Sequence, residues 1–182
     1  FKITTLHDLN NSGFINYEAK DKLLRYGLGV DSHKLKSRLK LKLGGVRISH
    51  SKGLEGHSDG DVLLHSICDA ILGALGLFDL GYHFPSDDPD LRGIDSRDML
   101  MKILNMMKKN NFQVNHLDST IIAQAPRISE YREEIENKLS ELLGVRKSSV
   151  NVKATTTDLL GFIGKSEGIA AQSIVTLEKL GS

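Results

Sequence analysis

The stretch Gly56–Asp69, with the sequence GHSDGDVLLHSICD, constrains the fold most. It combines several ionisable residues with the start of an apolar segment. Ser58 and Asp61 have the spacing of a capping box, so we predict a helix over residues 59–75 with Ser58 as its N-cap. Apolar side chains recur along this segment at the spacing of one helix face, and His65 lies at the edge of that face. The helix therefore places an ionisable side chain between the core and a cleft, where a metal or phosphate site could form.

The same stretch also admits a purely structural interpretation. Asp61 could act only as a capping acid that complements the helix dipole, and His65 could be a half-buried histidine of the core. Asp69 lies one helical turn after His65, so it is a candidate acceptor that orients a ligand histidine, although it could equally be a solvated acid. Residues elsewhere in the chain are needed to decide.

The composition limits the classes of partner. The chain has 182 residues, with 24 basic and 23 acidic side chains and a formal net charge of +1. This length suggests one domain with a full core, and the balanced charge gives no general attraction to nucleic acid or to a membrane surface. No apolar run reaches the roughly 18 residues of a membrane span. We therefore expect neither nucleic acid nor membrane as a partner.

The rest of the chain alternates strand-like and helix-like segments. Period-two patterns and turn residues predict strands, and 3.6-residue periods predict helices. The predicted strands are 24–31, a hairpin of 34–42 and 46–48 around Gly44-Gly45, 114–124, 150–154 and 169–177, and the later predicted helices are 96–110 and 129–143. This order indicates an α+β domain: a mainly antiparallel four-stranded sheet with helices packed on one face, plus a small hairpin. The sheet face without helices must also be shielded from water. Because strand 117–123 is apolar, we expect that face to be buried against other subunits in an oligomer.

Residues 1–23 form a polar extension that contains Lys and Asn, before a domain that we place at residues 24–182. The extension lacks the apolar segment of a secretory signal, and the chain does not begin with Met. We interpret it as a remnant of a targeting segment for a plastid-like organelle, of the apicoplast or chloroplast type. A bacterial cytoplasmic protein with an ordinary N-terminal extension is the alternative.

Two histidines and a carboxylate form a candidate metal set. Asp31 and His33 lie two positions apart, so in extended chain their side chains point to the same side. With His65 they give three protein ligands and leave one tetrahedral position open, which is the pattern of a catalytic zinc site. The set alone is only moderately specific, because seven histidines give many accidental combinations. Thr155–Thr157, at a strand end, could bind phosphate oxygens, although threonine is also simply a good strand residue.

Taken together and in order, the motifs resemble the 2-C-methyl-D-erythritol 2,4-cyclodiphosphate synthase family of the non-mevalonate isoprenoid pathway. The resemblance covers about Arg25 to Lys179, and no nucleotidyltransferase domain precedes it, as expected of a monofunctional form. The motifs are GVDSH at 29–33, GGV at 44–46, HSDGD at 57–61 with His65, DLG at 79–81 with Phe84-Pro85, IAQAP at 122–126, VNVKATTT at 150–157, Gly161-Phe162 and Glu167-Gly168.

The resemblance implies a substrate that carries its own nucleophile, 4-diphosphocytidyl-2-C-methyl-D-erythritol 2-phosphate. Its 2-phosphate would attack the β-phosphorus of the diphosphate, CMP would leave, and the cyclic diphosphate would form. No side-chain nucleophile is then needed, so catalysis would rest on positioning and charge neutralisation. The resemblance also implies a homotrimer, with sheets packed together and active sites between neighbouring subunits.

The resemblance further assigns roles to individual residues. Asp31, His33 and His65 would hold Zn²⁺, Asp158 would contact a second divalent metal, Mg²⁺ or Mn²⁺, and His57 and Thr156 match the catalytic positions that stabilise the transition state. Asp31, His33 and His57 would also contact substrate. The methylerythritol side matches Ser58, Asp79, Gly81, Phe84, Asp87 and Asp88. The cytidine diphosphate side, expected from the neighbouring subunit, matches Ala123, Ala125, Arg127, Ile128, Ser129, Thr155, Thr156, Thr157 and Asp158, and Phe162 and Lys165 complete the substrate-binding set.

Two other classes of function stay open at this point. A metal-dependent phosphohydrolase would use the same ligands to activate a water molecule. A non-catalytic trimer would bind a metal or an isoprenoid diphosphate. Product analysis distinguishes a phosphohydrolase, which would release inorganic phosphate, from a synthase, which would release CMP and the cyclic diphosphate. Turnover of any kind excludes a binding module as the main role.

Overall fold

The computed structural model describes residues 23–181, which form seven strands and five α-helices. The predicted extension, up to residue 22, lies outside the described residues. The strands are β1 (Leu24–Ser37), β2 (Leu41–Leu43), β3 (Val46–Ile48), β4 (Lys52–Leu54), β5 (Phe112–Ile122), β6 (Val150–Thr155) and β7 (Gly168–Lys179). The helices are α1 (Val62–Leu75), α2 (Leu80–His83), α3 (Ser96–Lys109), α4 (Arg132–Leu143) and α5 (Gly161–Gly164).

The main sheet is mixed rather than mainly antiparallel, and it has five strands in the order β4-β1-β7-β5-β6. The pairs β4–β1, β1–β7 and β7–β5 are antiparallel, whereas β5 and β6 are parallel. The parallel pair arises because α4 connects β5 to β6, and a helical crossover returns the chain in the same direction. The α+β class is confirmed, and the fifth strand is the short β4, which the sequence pattern did not predict.

The predicted hairpin is confirmed as a separate two-stranded sheet of β2 and β3. Gly44 and Gly45 join the two strands with φ of 63° and 79°, a left-handed region that costs glycine little. The predicted strand 34–42 is shorter in the structure, because residues 34–37 belong to β1.

Helix α1 begins at Val62, and its N-cap is Asp61 rather than Ser58. The Asp61 carboxylate accepts hydrogen bonds from the amides of Leu64 at 3.1 Å, Gly44 at 2.9 Å and Gly45 at 2.7 Å, and the side chain is fully buried. A capping acid that also binds the hairpin turn satisfies more amides than Ser58 could. The interpretation of Asp61 as a cap is therefore correct, and the predicted start at residue 59 is wrong.

Helix α1 packs directly against one face of β1, because two residues on that face, Gly27 and Gly29, have no side chain. A β-carbon at Gly27 would overlap the carbonyl oxygen of Ala70, and one at Gly29 would overlap that of Ser66. Close backbone approach of this kind requires glycine. Asp31 and His33 continue the same face of β1, beyond the two glycines.

The opposite face of β1 and β7 is apolar and exposed within one chain. Tyr26, Leu28 and Val30 are 68%, 56% and 60% exposed, and Ile174 of β7 is 46% exposed. A group of large apolar side chains on one sheet face is unusual for the surface of a monomer. Within the described residues, none of the helices has both the length and the hydropathy needed to cross a bilayer.

Candidate active site

Three ligand atoms from distant parts of the chain meet at one point. Nε2 of His33, Nδ1 of His65 and Oδ2 of Asp31 lie 2.9 Å from one another in all three pairs. Two imidazole nitrogens and one carboxylate oxygen are the donors of catalytic zinc sites. Ligand atoms about 2.0–2.1 Å from a tetrahedral zinc ion lie about 3.3 Å apart, so a small adjustment fits this set to a divalent metal.

The packing of α1 on β1 produces this cluster. Asp31 and His33 project from the strand two residues apart, and His65 lies in the first turn of the helix that crosses the two glycines. His65 is 6% exposed, while Asp31 and His33 are half-buried. The three residues predicted as metal ligands therefore do lie together, in a group that could hold a divalent metal ion.

The charges of the cluster support one another. Burial of Asp31 would raise the pKa of its carboxyl, but hydrogen bonds from His33 and His65 outweigh burial and hold the pKa well below its usual range. Burial would likewise lower the pKa of His33, but its hydrogen bond with Asp31 and the charge of Asp31 outweigh burial and raise this pKa. Without a metal, the cluster therefore favours a carboxylate beside a protonated imidazole.

The acceptor predicted for a ligand histidine is not Asp69. Oδ1 of Asp69 accepts a hydrogen bond from the amide of Leu80 at 2.7 Å, at the start of α2. Nε2 of His65 instead lies 2.9 Å from Oγ of Ser58 and 2.9 Å from Oγ of Ser96. Asp69 still lines the cavity beside the cluster, and burial raises the pKa of its carboxyl.

A cavity of about 380 Å³ opens onto the three ligands. Its wall contains most of the residues predicted for catalysis and for the methylerythritol side. These are His57, Ser58, Gly81, Phe84 and Asp88, together with Asp31, His33 and His65. The cavity is thus large enough for a small phosphorylated substrate and has a candidate metal centre in its wall.

Two predicted residues of this group lie outside the wall of that cavity. Asp79 is the N-cap of α2, where its carboxylate accepts a hydrogen bond from the Tyr82 amide at 2.8 Å. Asp87 is exposed in the loop after α2. The structure therefore gives Asp79 a local capping role and brings neither acid to the cluster.

Most of the residues predicted for the cytidine diphosphate side, though not Thr157 and Asp158, line a separate cavity of about 280 Å³. Its wall includes Ala123, Ala125, Arg127, Ile128, Ser129, Thr155 and Thr156. The peptide bond before Pro126, in the same wall, is cis. This cavity shares no residue with the first one.

The two cavities lie on strands that are far apart in the sheet. Strands β7 and β5 separate β1 from β6, so three strand spacings, about 14 Å, lie between them. The register is nearly level, since His33 pairs with Ile169, and Ile122 pairs with both Ala170 and Thr155. The metal ligands and Thr156 of one chain therefore cannot contact the same small reacting group.

The loop after β6 carries the remaining predicted residues. Oγ1 of Thr156 donates a hydrogen bond to Oδ1 of Asp158 at 3.1 Å, and the Asp158 amide donates to Thr156 Oγ1 at 3.2 Å. Asp158 and Leu159 have φ of 49° and 67°, an uncommon conformation for residues with side chains. Thr157 donates to the Leu160 carbonyl at 2.7 Å, which closes the turn.

Phe162 and Lys165 follow that loop, and they belong to neither of the two cavities. Phe162 is 48% exposed and lines a third cavity with His33 and Glu167, whereas Lys165 is exposed after α5. The wall of the first cavity also contains residues that were not predicted for the site, among them Leu91, Arg92, Ile94 and Met99. Arg92 offers an exposed guanidinium for phosphate, and a basic residue in an otherwise acidic loop was the available signal.

Comparisons with known proteins agree on one family. The YgbB family model matches residues 24–178. A relative from Halothermothrix orenii, 50% identical over 154 residues, covers 85% of this chain and 93% of its own length. A relative from Fusobacterium nucleatum, 48% identical over 157 residues, covers 86% of this chain and 98% of its own length. Both relatives are named 2-C-methyl-D-erythritol 2,4-cyclodiphosphate synthase.

Solved structures show the same similarity. IspF of Plasmodium falciparum in a CDP complex superposes with a TM-score of 0.76 and 35% identity, covering 87% of this chain and 97% of that one. The bifunctional IspDF of Campylobacter jejuni gives a TM-score of 0.84 and 36% identity, with 87% of this chain and 43% of that chain covered.

Proposed function

Since the chain belongs to the YgbB family, that of the 2-C-methyl-D-erythritol 2,4-cyclodiphosphate synthases, we infer that it is a cyclising, CMP-releasing lyase of the non-mevalonate isoprenoid pathway. It converts 4-diphosphocytidyl-2-C-methyl-D-erythritol 2-phosphate to 2-C-methyl-D-erythritol 2,4-cyclodiphosphate and CMP. A 2-phosphate oxygen forms a bond to the β-phosphorus. The bond from that phosphorus to the bridging oxygen breaks, and CMP leaves with the electron pair.

The cluster of Asp31, His33 and His65 in the cavity wall is the observation that carries this function. The reaction needs no protein nucleophile, so catalysis requires positioning of the substrate and neutralisation of phosphate charge. The cavity offers both a site for a cation and an exposed histidine, His57, in the same wall. We assign zinc to the cluster, because two imidazoles and one carboxylate leave the fourth tetrahedral position open. A bound zinc ion would supply a Lewis acid that neutralises phosphate charge.

The side chains around the cluster would orient the substrate. His57 and Ser58 lie at the cavity wall beside the ligands, so they are placed to donate hydrogen bonds to phosphate oxygens as negative charge shifts. Arg92 adds a guanidinium on the same wall. Thr156 and Asp158 would act at the other end of the diphosphate, where a hard carboxylate oxygen suits Mg²⁺ or Mn²⁺.

We propose that the chain works as a homotrimer and that each site combines the metal half of one subunit with the cytidine half of its neighbour. The separation of about 14 Å between the two halves within one chain supports this arrangement. The exposed apolar face of β1 and β7 would then be buried between subunits. Leu159 and Leu160, which are 71% and 73% exposed beside Thr156, would also be covered by a neighbour.

A product assay tests the function. Purified protein is incubated with the CDP-linked substrate and Mg²⁺, and the products are separated by chromatography and identified by ³¹P NMR. We expect CMP and the cyclic diphosphate in equal amounts. Release of inorganic phosphate would instead indicate a phosphohydrolase, and binding without turnover would indicate a binding module.

A further inference from the structure

The ring nitrogen of His65 that faces away from Asp31 has a buried hydroxyl neighbour. Nε2 lies 2.9 Å from Oγ of Ser96, and Ser96, at the start of α3, is fully buried. The other hydroxyl near this nitrogen, that of Ser58, belongs to a residue of the cavity wall. Which tautomer His65 adopts depends on whether Ser96 donates a proton to this nitrogen or accepts one from it.

Asp59 decides the direction of that hydrogen bond. Oγ of Ser96 and the amide of Ser96 both contact Oδ1 of Asp59, the amide at 3.2 Å. A carboxylate only accepts, so the single hydroxyl proton of Ser96 is donated to Asp59. The Ser96 oxygen then accepts from Nε2–H of His65. In the metal-loaded site, where Nδ1 no longer donates to Asp31, the proton on Nε2 leaves the lone pair of Nδ1 for the metal.

Lys42 in turn holds Asp59. Its Nζ donates to Oδ2 of Asp59 at 2.7 Å, so the two carboxylate oxygens have different partners. Lys42 belongs to β2 of the hairpin, whose turn also binds Asp61 through two amides. The hairpin therefore secures both the acid that orients Ser96 and the acid that caps α1.

We propose that Asp59 and Ser96, held by Lys42, are positioning residues that fix the Nε2–H form of His65 and so present Nδ1 to the metal. Asp59 and Lys42 act only through other residues, and none of the three residues supplies a ligand atom to the cluster. Partners of this kind orient ligand imidazoles in metal sites and raise their basicity. The inference rests on the proposed zinc site and gives a role to three residues that have none in the sequence analysis and do not line the first cavity.

Asp59→Asn is the most informative variant. Lys42 has donors only, so the new carboxamide would turn its oxygen toward Lys42 and its NH₂ group toward Ser96. Ser96 would then accept from the carboxamide and donate to Nε2 of His65, which reverses the chain of hydrogen bonds. We expect zinc affinity, measured by competition with a chromophoric chelator, to fall by about ten-fold or more.

Ser96→Ala breaks the link between Asp59 and His65 and should lower zinc affinity by a similar factor. If Asp59 acts through Ser96, the variant that combines Asp59→Asn with Ser96→Ala should lose no more zinc affinity than Ser96→Ala alone, because the effects of coupled residues are not additive. Asp95→Ala is the matched control. Asp95 caps the same helix through the Arg97 amide and lies 3.5 Å from Nζ of Lys42, so its loss loosens the start of α3 but leaves the contacts of Asp59 with Lys42 and Ser96 in place. It should lower stability and leave zinc affinity unchanged.

A spectroscopic measurement tests the tautomer in the wild-type protein. With zinc bound, ¹⁵N NMR should show a slowly exchanging proton on Nε2 of His65 and coordination through Nδ1. Coordination through Nε2, or wild-type zinc affinity in both Asp59→Asn and Ser96→Ala, would overturn the proposal. So would an equal loss in Asp95→Ala, since a general loosening of α3 would then explain all three. A wild-type protein that binds no zinc would instead contradict the proposed metal site itself.

Discussion

Nδ1 of His65 lies 2.9 Å from Oδ2 of Asp31, although 34 positions separate the two residues in the chain. The contact exists because α1 crosses β1 over two glycines, which brings the first turn of the helix to the face that carries Asp31. The candidate metal centre is thus a product of helix–sheet packing as well as of its ligands. Both ligand changes and packing changes should therefore affect it.

Removing one ligand should remove the metal. We expect His65→Ala to lose bound zinc and nearly all CMP release while keeping its fold, because two remaining ligands bind zinc weakly. The measurement is zinc content by mass spectrometry after dialysis, with circular dichroism to check folding. His50→Ala, which removes a half-buried imidazole outside the cavity wall, is the control and should keep its zinc. A full zinc content in His65→Ala would show that the ligand assignment is wrong.

Adding one methyl group beneath α1 should disturb the site from a distance. A β-carbon at Gly29 meets the Ser66 carbonyl, so Gly29→Ala should displace the helix, cost about 1–3 kcal/mol of stability and weaken zinc binding. Gly73→Ala is the control, since its new methyl group has only the Leu28 carbonyl nearby, at 3.8 Å. That change should leave zinc affinity intact and stability equal or up to about 1 kcal/mol higher. Urea denaturation and chelator competition measure both quantities, and equal behaviour of the two variants would contradict the packing argument.

The pKa of His33 predicts how zinc binding depends on pH. Because Asp31 raises this pKa, protons should compete with zinc, and the apparent affinity should fall as pH drops through the raised value. The carboxylate of Asp31 stays ionised over this range, since its pKa is lowered, and adds no second step. Competition titrations from about pH 5.5 to about pH 8.5 measure the dependence. An affinity independent of pH would contradict it.

The zinc-free protein should show the opposite dependence in its stability. A histidine whose folded pKa lies above the unfolded value of 6.5 stabilises the fold fully below that value, and the contribution is lost as pH rises through the folded pKa. We expect the difference in unfolding free energy between wild type and His33→Ala, both without metal, to shrink from about pH 5.5 to about pH 8.5. A difference that grows over this range would mean that the pKa of His33 is lowered.

Asp61 should be far more important for stability than an ordinary helix cap. Asp61→Ala leaves three amides without their acceptor, at about 1–3 kcal/mol for each buried group, so we expect a total loss above about 3 kcal/mol. Asp79→Ala is the comparison, because Asp79 is an exposed cap with one amide partner and should cost about 1 kcal/mol. Chemical denaturation measures both losses. Similar losses in the two variants would show that the hairpin contacts add little.

Much of the fold follows from local patterns in the sequence. The helix at Ser96–Lys109 matches its predicted range closely, and the turn at Gly44-Gly45 and the strand Val46–Ile48 lie where the pattern places them. Periodicity and turn residues specify these features, whereas the first strand of the hairpin begins later than predicted, at Leu41. The parallel pairing of β5 with β6 was not predicted, since alternation marks a strand but not its neighbours in the sheet. The choice of Asp61 over Ser58 as the cap likewise depends on amides of the hairpin, which are remote in sequence.

The candidate site shows the same division. Asp31, His33 and His65 could be grouped from residue type and spacing, because few side chains suit a metal. The hydrogen-bond partner of Asp69 could not be inferred. The spacing of one helical turn places Asp69 near His65, but its carboxylate accepts from the Leu80 amide, and the fold of the loop after α1 that brings this amide close is not visible in the sequence pattern. The contact of Ser96 with Asp59 joins residues 37 positions apart, and no local pattern marks it.

Mixed oligomers test whether neighbouring subunits share each site. His65→Ala damages the metal half, and Thr156→Val removes the hydroxyl at the cytidine half, so each variant alone should be nearly inactive. If a site takes one half from each of two chains, some sites in a mixed trimer contain both intact halves. Random mixing in equal amounts should restore about a quarter of wild-type CMP release.

The two variants are unfolded, mixed, refolded and assayed, with native mass spectrometry to confirm mixed trimers and with each variant refolded alone as the control. A chain carrying both changes, mixed with wild type, gives an independent value. A shared site again predicts about a quarter of wild-type activity, whereas a site within one chain predicts about half. Mixed trimers of the single variants that stay as inactive as either parent would show that one chain supplies both halves, in spite of the three strand spacings between them.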